Sequence, residues 1–327
     1  MYFDMPINEK SEDKLHRTNF VNSIVKSINN YPSMDESIVI GLMGDWGTGK
    51  SSIINMIESE LDEEIIVLKF NPWNYPSQNQ LISSFFDELS TTFDKYDFNS
   101  KIKKHLSKYK SKMFDSAIDI GSSYFKPLKF LSIFNKNDEY NTLNDLKSSL
   151  KDSFKKQKKI LVIIDDIDRL NPTEVREIFQ LVKSLADFPN IIYLLAFDKD
   201  YVNHALKDWN INSDDYSHSE DFIDKIVQVP LVIPKFDDID LYKVFSSKID
   251  ILKGYHENVG NMNKELIFNL LIPYFKNIRD MNRYFNSLDF NLYAIEENIH
   301  IDDFALVTAL QIFEKDIYDE IKYNEDL

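Results

Sequence analysis

The run Gly44-Asp45-Trp46-Gly47-Thr48-Gly49-Lys50-Ser51, followed by Ser52, lies between a short β-branched segment, Ser37 to Ile40, and a stretch of helical periodicity, Ser51 to Leu61. It fits G-x-x-x-x-G-K-[ST], a pattern whose physical requirement is that backbone N–H groups converge on phosphate oxygens. Glycines let the chain enter the tight loop, and the N-terminus of the following helix completes the anion site. Lys50 is placed to neutralise the β and γ phosphates and Ser51 to ligate magnesium. At a usual glycine content of about 7%, the pattern arises by accident in roughly one chain in a hundred of this size. Here glycine is scarcer: the chain has seven, and Gly41, Gly44, Gly47 and Gly49 fall within nine residues. The expected ligands are ATP and Mg2+.

Glu64 to Phe70, Ile160 to Ile164, Ile191 to Phe197 and Ile226 to Ile233 read as further strands. Unbroken apolar strands separated by helical stretches indicate a mainly parallel sheet covered on both faces, an α/β fold. Asp13 to Asn29 reads as an amphipathic helix, and from Asp238 onward the periodicity is helical, with apolar residues such as Leu266, Leu270 and Leu271 at helical intervals. The expected organisation is a core over residues 1–237, carrying a Lys-rich helical insertion at about 95–155, and a helical lobe over 238–327. Residues 212–220 read as a polar loop.

In ILVIIDDIDRL, Asp165 and Asp166 fall at the carboxyl end of a buried strand, the edge at which α/β proteins bind ligands. Neighbouring side chains on an extended strand point to opposite sides. Asp165 is therefore expected near Ser51 and the metal, and Asp166 is placed to orient or deprotonate an attacking water. A plainer reading has both acids capping the next helix. Arg169 reaches either a phosphate on a neighbouring subunit or simply Asp168.

Composition narrows the chemistry. With no cysteine, disulfides, thiolate catalysis and cysteine-bound zinc are excluded, which fits a cytoplasmic chain. The net charge of −16 argues against general nucleic-acid binding. Lys95 to Lys159, however, holds sixteen lysines against seven acidic residues, a local +9. That stretch reads as solvated helices, a protein-docking surface or, with weakest support, a nucleic-acid contact. The window 113–134 carries Asp115, Asp119, Lys126 and Lys129, too many charges for a bilayer span, so no membrane association is expected.

GDWGTGKSS at 44–52, FNPWNY at 70–75, IIDDIDRL at 163–170 and LLAFDKDYV at 194–202, with DKIVQVPLVIP at 224–234 and IRDMNRYFNSL at 278–288, resemble the motifs of the KAP family of P-loop NTPases. The resemblance covers most of the chain. It implies an extra strand between the phosphate-loop strand and the Asp165 strand. It also implies Asp198 near the γ phosphate as a sensor, although that residue serves equally as a helix cap. Arg279 and Arg283, four apart on one helical face, are candidates for a nucleotide-sensing role, and Arg17 for a place beside the adenine. Many relatives insert membrane helices between the loop and the acidic strand, where this chain has its lysine-rich stretch.

The expected function is an ATP-driven switch or motor with a protein partner or self-association, and the resemblance implies a bacterial system acting against phage or mobile DNA. The alternative is an ATP-binding regulatory module with negligible turnover. A kinase is disfavoured, because a second acid beside the metal-binding one promotes hydrolysis where a kinase must exclude water.

Overall fold

The structure, a computed structural model, describes residues 5–75, 78–118, 139–206, 220–294 and 299–323. Of the polar loop at 212–220 all but Glu220, and most of the 113–134 window, lie outside the described residues.

Strands β1 (Ile38–Met43), β2 (Ile66–Phe70), β3 (Ile160–Ile164), β4 (Ile191–Phe197) and β5 (Val229–Val232) form one sheet in the order β2-β3-β4-β1-β5. All its pairings are parallel. Every residue of the three interior strands is buried, which is why they read as continuous apolar runs. The edge strands alternate instead. β4 separates β1 from β3, so the strand that precedes the phosphate loop and the strand that ends before Asp165 are second neighbours.

The helices are α1 (Thr18–Asn30), α2 (Lys50–Glu58), α3 (Gln78–Lys95), α4 (Ser100–Ile118), α5 (Glu139–Phe154), α6 (Pro172–Gln180, continued by a π turn at Leu181–Leu185), α7 (Lys199–Leu206), α8 (Glu220–Ile226), α9 (Asp238–Lys253), α10 (Lys264–Leu271), α11 (Ile278–Leu292), α12 (Ile301–Phe313) and α13 (Lys315–Tyr323). The chain divides into two compact units: residues 20–46 with 50–233, and residues 1–19 with 47–49 and 234–327.

In the first unit the lysine-rich helix α4 is an ordinary amphipathic one. Ile102, Leu106, Tyr109 and Met113 recur at helical spacing and are buried in the core, Tyr109 donating to the Leu185 carbonyl at 3.1 Å. Lys103 and Lys110 pair with Asp94 and Asp87 of α3, while Lys101, Lys104 and Lys108 are exposed. The second unit packs α9 to α12 around Phe245, Phe268, Phe275, Tyr284 and Phe285. The starts of α9, α10 and α11 are set by side-chain caps: Asp237, Asn263 and Asn277 accept from Asp240, Leu266 and Asp280 N–H groups. Among the described residues no helix is long and apolar enough to cross a membrane.

Several boundaries differ from the sequence reading. β1 runs through Gly41 to Met43 rather than ending at Ile40. Gly41 is used for closeness rather than for a turn: a Cβ there would sit 2.9 Å from Val227 and 3.3 Å from Phe197. Helix α1 begins at Thr18 rather than Asp13, because the Asp13 carboxylate accepts from the Thr18 N–H and hydroxyl, each at 2.8 Å, and so caps the helix. Ile226 ends α8, and β5 starts only at Val229.

Candidate functional site

The carboxyl edge of a parallel sheet gathers whatever follows its strands, and here the loop after β1 meets the acids after β3. Lys50 opens α2 with its side chain buried, although an ammonium group is costly to bury. It is held by three acceptors: the Gly44 carbonyl at 2.9 Å, the Asp45 carbonyl at 3.3 Å and the Asp168 carboxylate at 2.8 Å. An ammonium has three protons, so all are engaged. The Asp168 side chain is as buried as that of Lys50.

Ser51 donates its hydroxyl to Asp165 at 2.7 Å, across the width of β4. The other Asp165 oxygen accepts the Asp166 N–H at 2.8 Å. Burial raises the Asp165 pKa above the ordinary carboxylate value, opposed by those two hydrogen bonds. A buried carboxylate beside a hydroxyl supplies two hard oxygen donors next to a phosphate-type loop. That chemistry fits a magnesium ion, which takes one or two protein oxygens and completes its shell with phosphate and water.

Asp166 lies in the left-handed region at φ 60°. This conformation is uncommon outside glycine and tolerated by Asp. Its carboxylate is fixed on both sides: Arg169 bonds one oxygen at 2.8 Å, and the Asn71 side-chain amide donates to the other at 2.9 Å. Asn71 comes within reach because Phe70 is in register with Ile164, so the first residue beyond β2 lies level with the start of the acidic run. The Asn71 carbonyl oxygen meanwhile accepts from Trp73 N–H, which starts the short turn at Pro72–Asn74. The Arg169 guanidinium also sits over the Trp46 ring, 5.4 Å from its centre. The ion pair that Arg169 makes is with Asp166 rather than with Asp168. Asp168 goes to Lys50.

Asp198, one residue beyond β4, accepts from the N–H groups of Asp200 and Tyr201 at 2.9 and 3.1 Å and so caps α7. Asn71 was missed from sequence. Its signal was its place: a polar residue directly after the strand that pairs with β3.

In the other unit, Gly47 and Gly49 at the loop tip have φ values of 81° and 90°, which only glycine adopts without strain. A Cβ on Gly47 would also lie 2.9 Å from the Asn277 side chain at the start of α11. Arg17 is buried, donates to the carbonyls of Thr48 and Pro234, and lies 5.9 Å from the Phe236 ring centre. Desolvation lowers its pKa, partly offset by Asp13. Arg279, in the first turn of α11, is half-buried. Arg283 is exposed, donates to the Ile312 carbonyl at 3.2 Å and covers the Phe313 ring. The adopted geometry thus engages Arg283 with the end of α12 rather than with the loop tip.

A five-stranded parallel sheet, a glycine loop leading into a helix and a Ser51–Asp165 pair across an intervening strand together define a P-loop NTPase domain. Residues 17–294 match the KAP family P-loop domain, and the chain belongs to that family. It is 24% identical over 352 residues to the phage T7 exclusion protein of Escherichia coli (strain K12), covering 97% of this chain and 47% of that protein. The chain therefore spans about half the length of this relative. Among solved structures, the Aeropyrum pernix ORC2 protein in its ADP form matches at 10% identity and a TM-score of 0.40, covering 89% of this chain and 66% of that one. Cdc6p from Pyrobaculum aerophilum matches at 13% and 0.40, covering 89% and 65%. Both superpositions are too loose to bear on function.

Proposed function

We propose that this chain binds ATP with magnesium and hydrolyses it, as a switch or motor in a bacterial defence against phage. The observation that carries the reading is the joining of Lys50, the Ser51–Asp165 pair and Asp166 at one sheet edge. Ser51 and Asp165 would hold the magnesium ion. Bound there, the ion supplies charge neutralisation for phosphate oxygens. Lys50 offers a buried positive charge to the phosphates, and Asp166 offers an oriented carboxylate to accept a proton from water. The defence role leans on the name of the Escherichia coli relative.

One observation favours the second reading, an ATP-binding regulator with little turnover: both oxygens of Asp166 are already engaged, by Asn71 and Arg169. Each oxygen keeps a lone pair for water, but a proton taken there would end the Asp166–Arg169 ion pair.

Magnesium-dependent phosphate release by the purified chain decides between these readings. Turnover by the wild-type protein, a drop of at least about 100-fold in Asp166→Asn with ATP still bound, and weakened ATP binding in Lys50→Ala are expected. ATP binding without turnover in the wild type would leave the regulatory module in place.

A further inference from the structure

We infer that Arg17 is a positioning residue that sets the tip of the phosphate loop by gripping its backbone, and that it does not read the adenine base. This rests on the nucleotide-binding reading above and assigns that site a further part.

A guanidinium group offers five N–H donors in a rigid fork and is ordinarily matched to a carboxylate or phosphate. Arg17 is only 5% exposed, and the hydrogen-bond partners of its guanidinium are two backbone carbonyls, Thr48 and Pro234, 186 residues apart in the chain. Using a buried charge to hold two carbonyls is an expensive way to make two hydrogen bonds. It becomes intelligible from where one of them lies, between the two glycines of positive φ at the loop tip.

In a trans peptide the C=O and the following N–H point in opposite directions. By fixing the Thr48 carbonyl, Arg17 turns the Gly49 N–H to the other side of the loop. The glycines at 47 and 49 leave the backbone free to rotate, so an outside grip is needed to choose one orientation.

Arg17 is itself held in place. Asp13 accepts from Leu15 N–H, Thr18 N–H and the Thr18 hydroxyl, at 3.1, 2.8 and 2.8 Å. His16 adopts φ 54° and lies 3.3 Å from Asp240. The residues flanking Arg17 thus fix its backbone before its side chain is considered, and the Phe236 ring lies beside the guanidinium. A purely local cap for α1 would need Asp13 and Thr18 but no arginine between them.

Two variants test the inference. Arg17→Lys keeps the charge but loses the fork, and Arg17→Gln loses both. Amide hydrogen exchange over residues 44–51 of the nucleotide-free protein should quicken by about tenfold or more in each, with melting of the remainder unchanged. Affinity for ATP and for ADP should fall together by roughly tenfold, and any affinity for GTP by the same factor, because the grip acts on the phosphate loop. Unchanged loop exchange in Arg17→Lys, a variant expected to fold, would overturn the inference. So would a loss confined to adenine nucleotides, which would return Arg17 to the base. A wild-type protein that binds no nucleotide would defeat the proposed function, while loop exchange alone would still decide the role of Arg17.

Discussion

Glu177→Gln is expected to stabilise the protein by on the order of 5 kcal/mol at pH 9 and by less than about 1 kcal/mol at pH 5. Glu177 lies in the middle of α6, is 3% exposed, and its Oε2 finds no hydrogen-bond partner. Burial, and secondarily the neighbouring Glu174, push its carboxyl up to about 8 from 4.5. The sign follows from proton binding. Below pH 4.5 the group is protonated in both folded and unfolded chains and costs nothing extra. Between 4.5 and 8 the unfolded chain releases the proton while the folded one retains it, so the stability of the folded state falls as pH rises and levels off above 8. Glutamine has the same shape and no charge to bury. Urea unfolding of both proteins at pH 5, 7 and 9 measures the difference between them, and a difference that does not grow with pH would show that Glu177 is solvated in the folded state.

Asp168→Asn is expected to destabilise the nucleotide-free protein by about 3 to 5 kcal/mol, the usual cost of leaving one member of a buried ion pair alone. Both side chains of the Lys50–Asp168 pair are under a tenth exposed, and the two carbonyls that remain to Lys50 carry no full charge. The same substitution should tighten ATP binding by roughly tenfold. All three Lys50 protons are taken in the free protein, so a phosphate gains the ammonium only by displacing an acceptor, and Asp168 is the one on a side chain able to move. The two effects have opposite signs in one variant, which a general loss of packing would not produce. Denaturant unfolding without nucleotide and calorimetric titration with ATP and magnesium measure them. Weaker ATP binding in Asp168→Asn would mean that Asp168 holds Lys50 for the phosphate rather than away from it.

The charged groups at the candidate site follow the same logic of compensation. Lys50 is neutralised by Asp168, and Asp166 is neutralised by Arg169 and bonded by Asn71. Asn71 connects Asp166 to the turn carrying Trp73, which is more than half exposed.

How much of this was legible beforehand depended on whether a residue's role was local. The phosphate loop, the interior strands and the acidic run were readable in the sequence, because each is specified by a few neighbouring residues: glycines for positive φ, continuous apolar side chains for a strand buried on both faces, and acids directly after it. The parallel sheet and its helical covering followed from their alternation. Boundaries were less legible wherever a side chain overrode periodicity, as when Asp13 capped α1 from outside and Gly41 served close packing inside β1 rather than a turn. Apart from Asp165 with Ser51 and Asp198 with the start of α7, the partners of charged groups were not legible. Arg169 turned to Asp166 instead of Asp168, Asp168 reached Lys50 across 118 positions, and Arg17 found carbonyls at 48 and 234. Sequence determines which charges a chain must accommodate and which backbone shapes are open to it. Which charge meets which acceptor is decided only when folding brings distant segments together, because burial raises the cost of every unpaired group and the nearest partner in space is seldom the nearest in the chain.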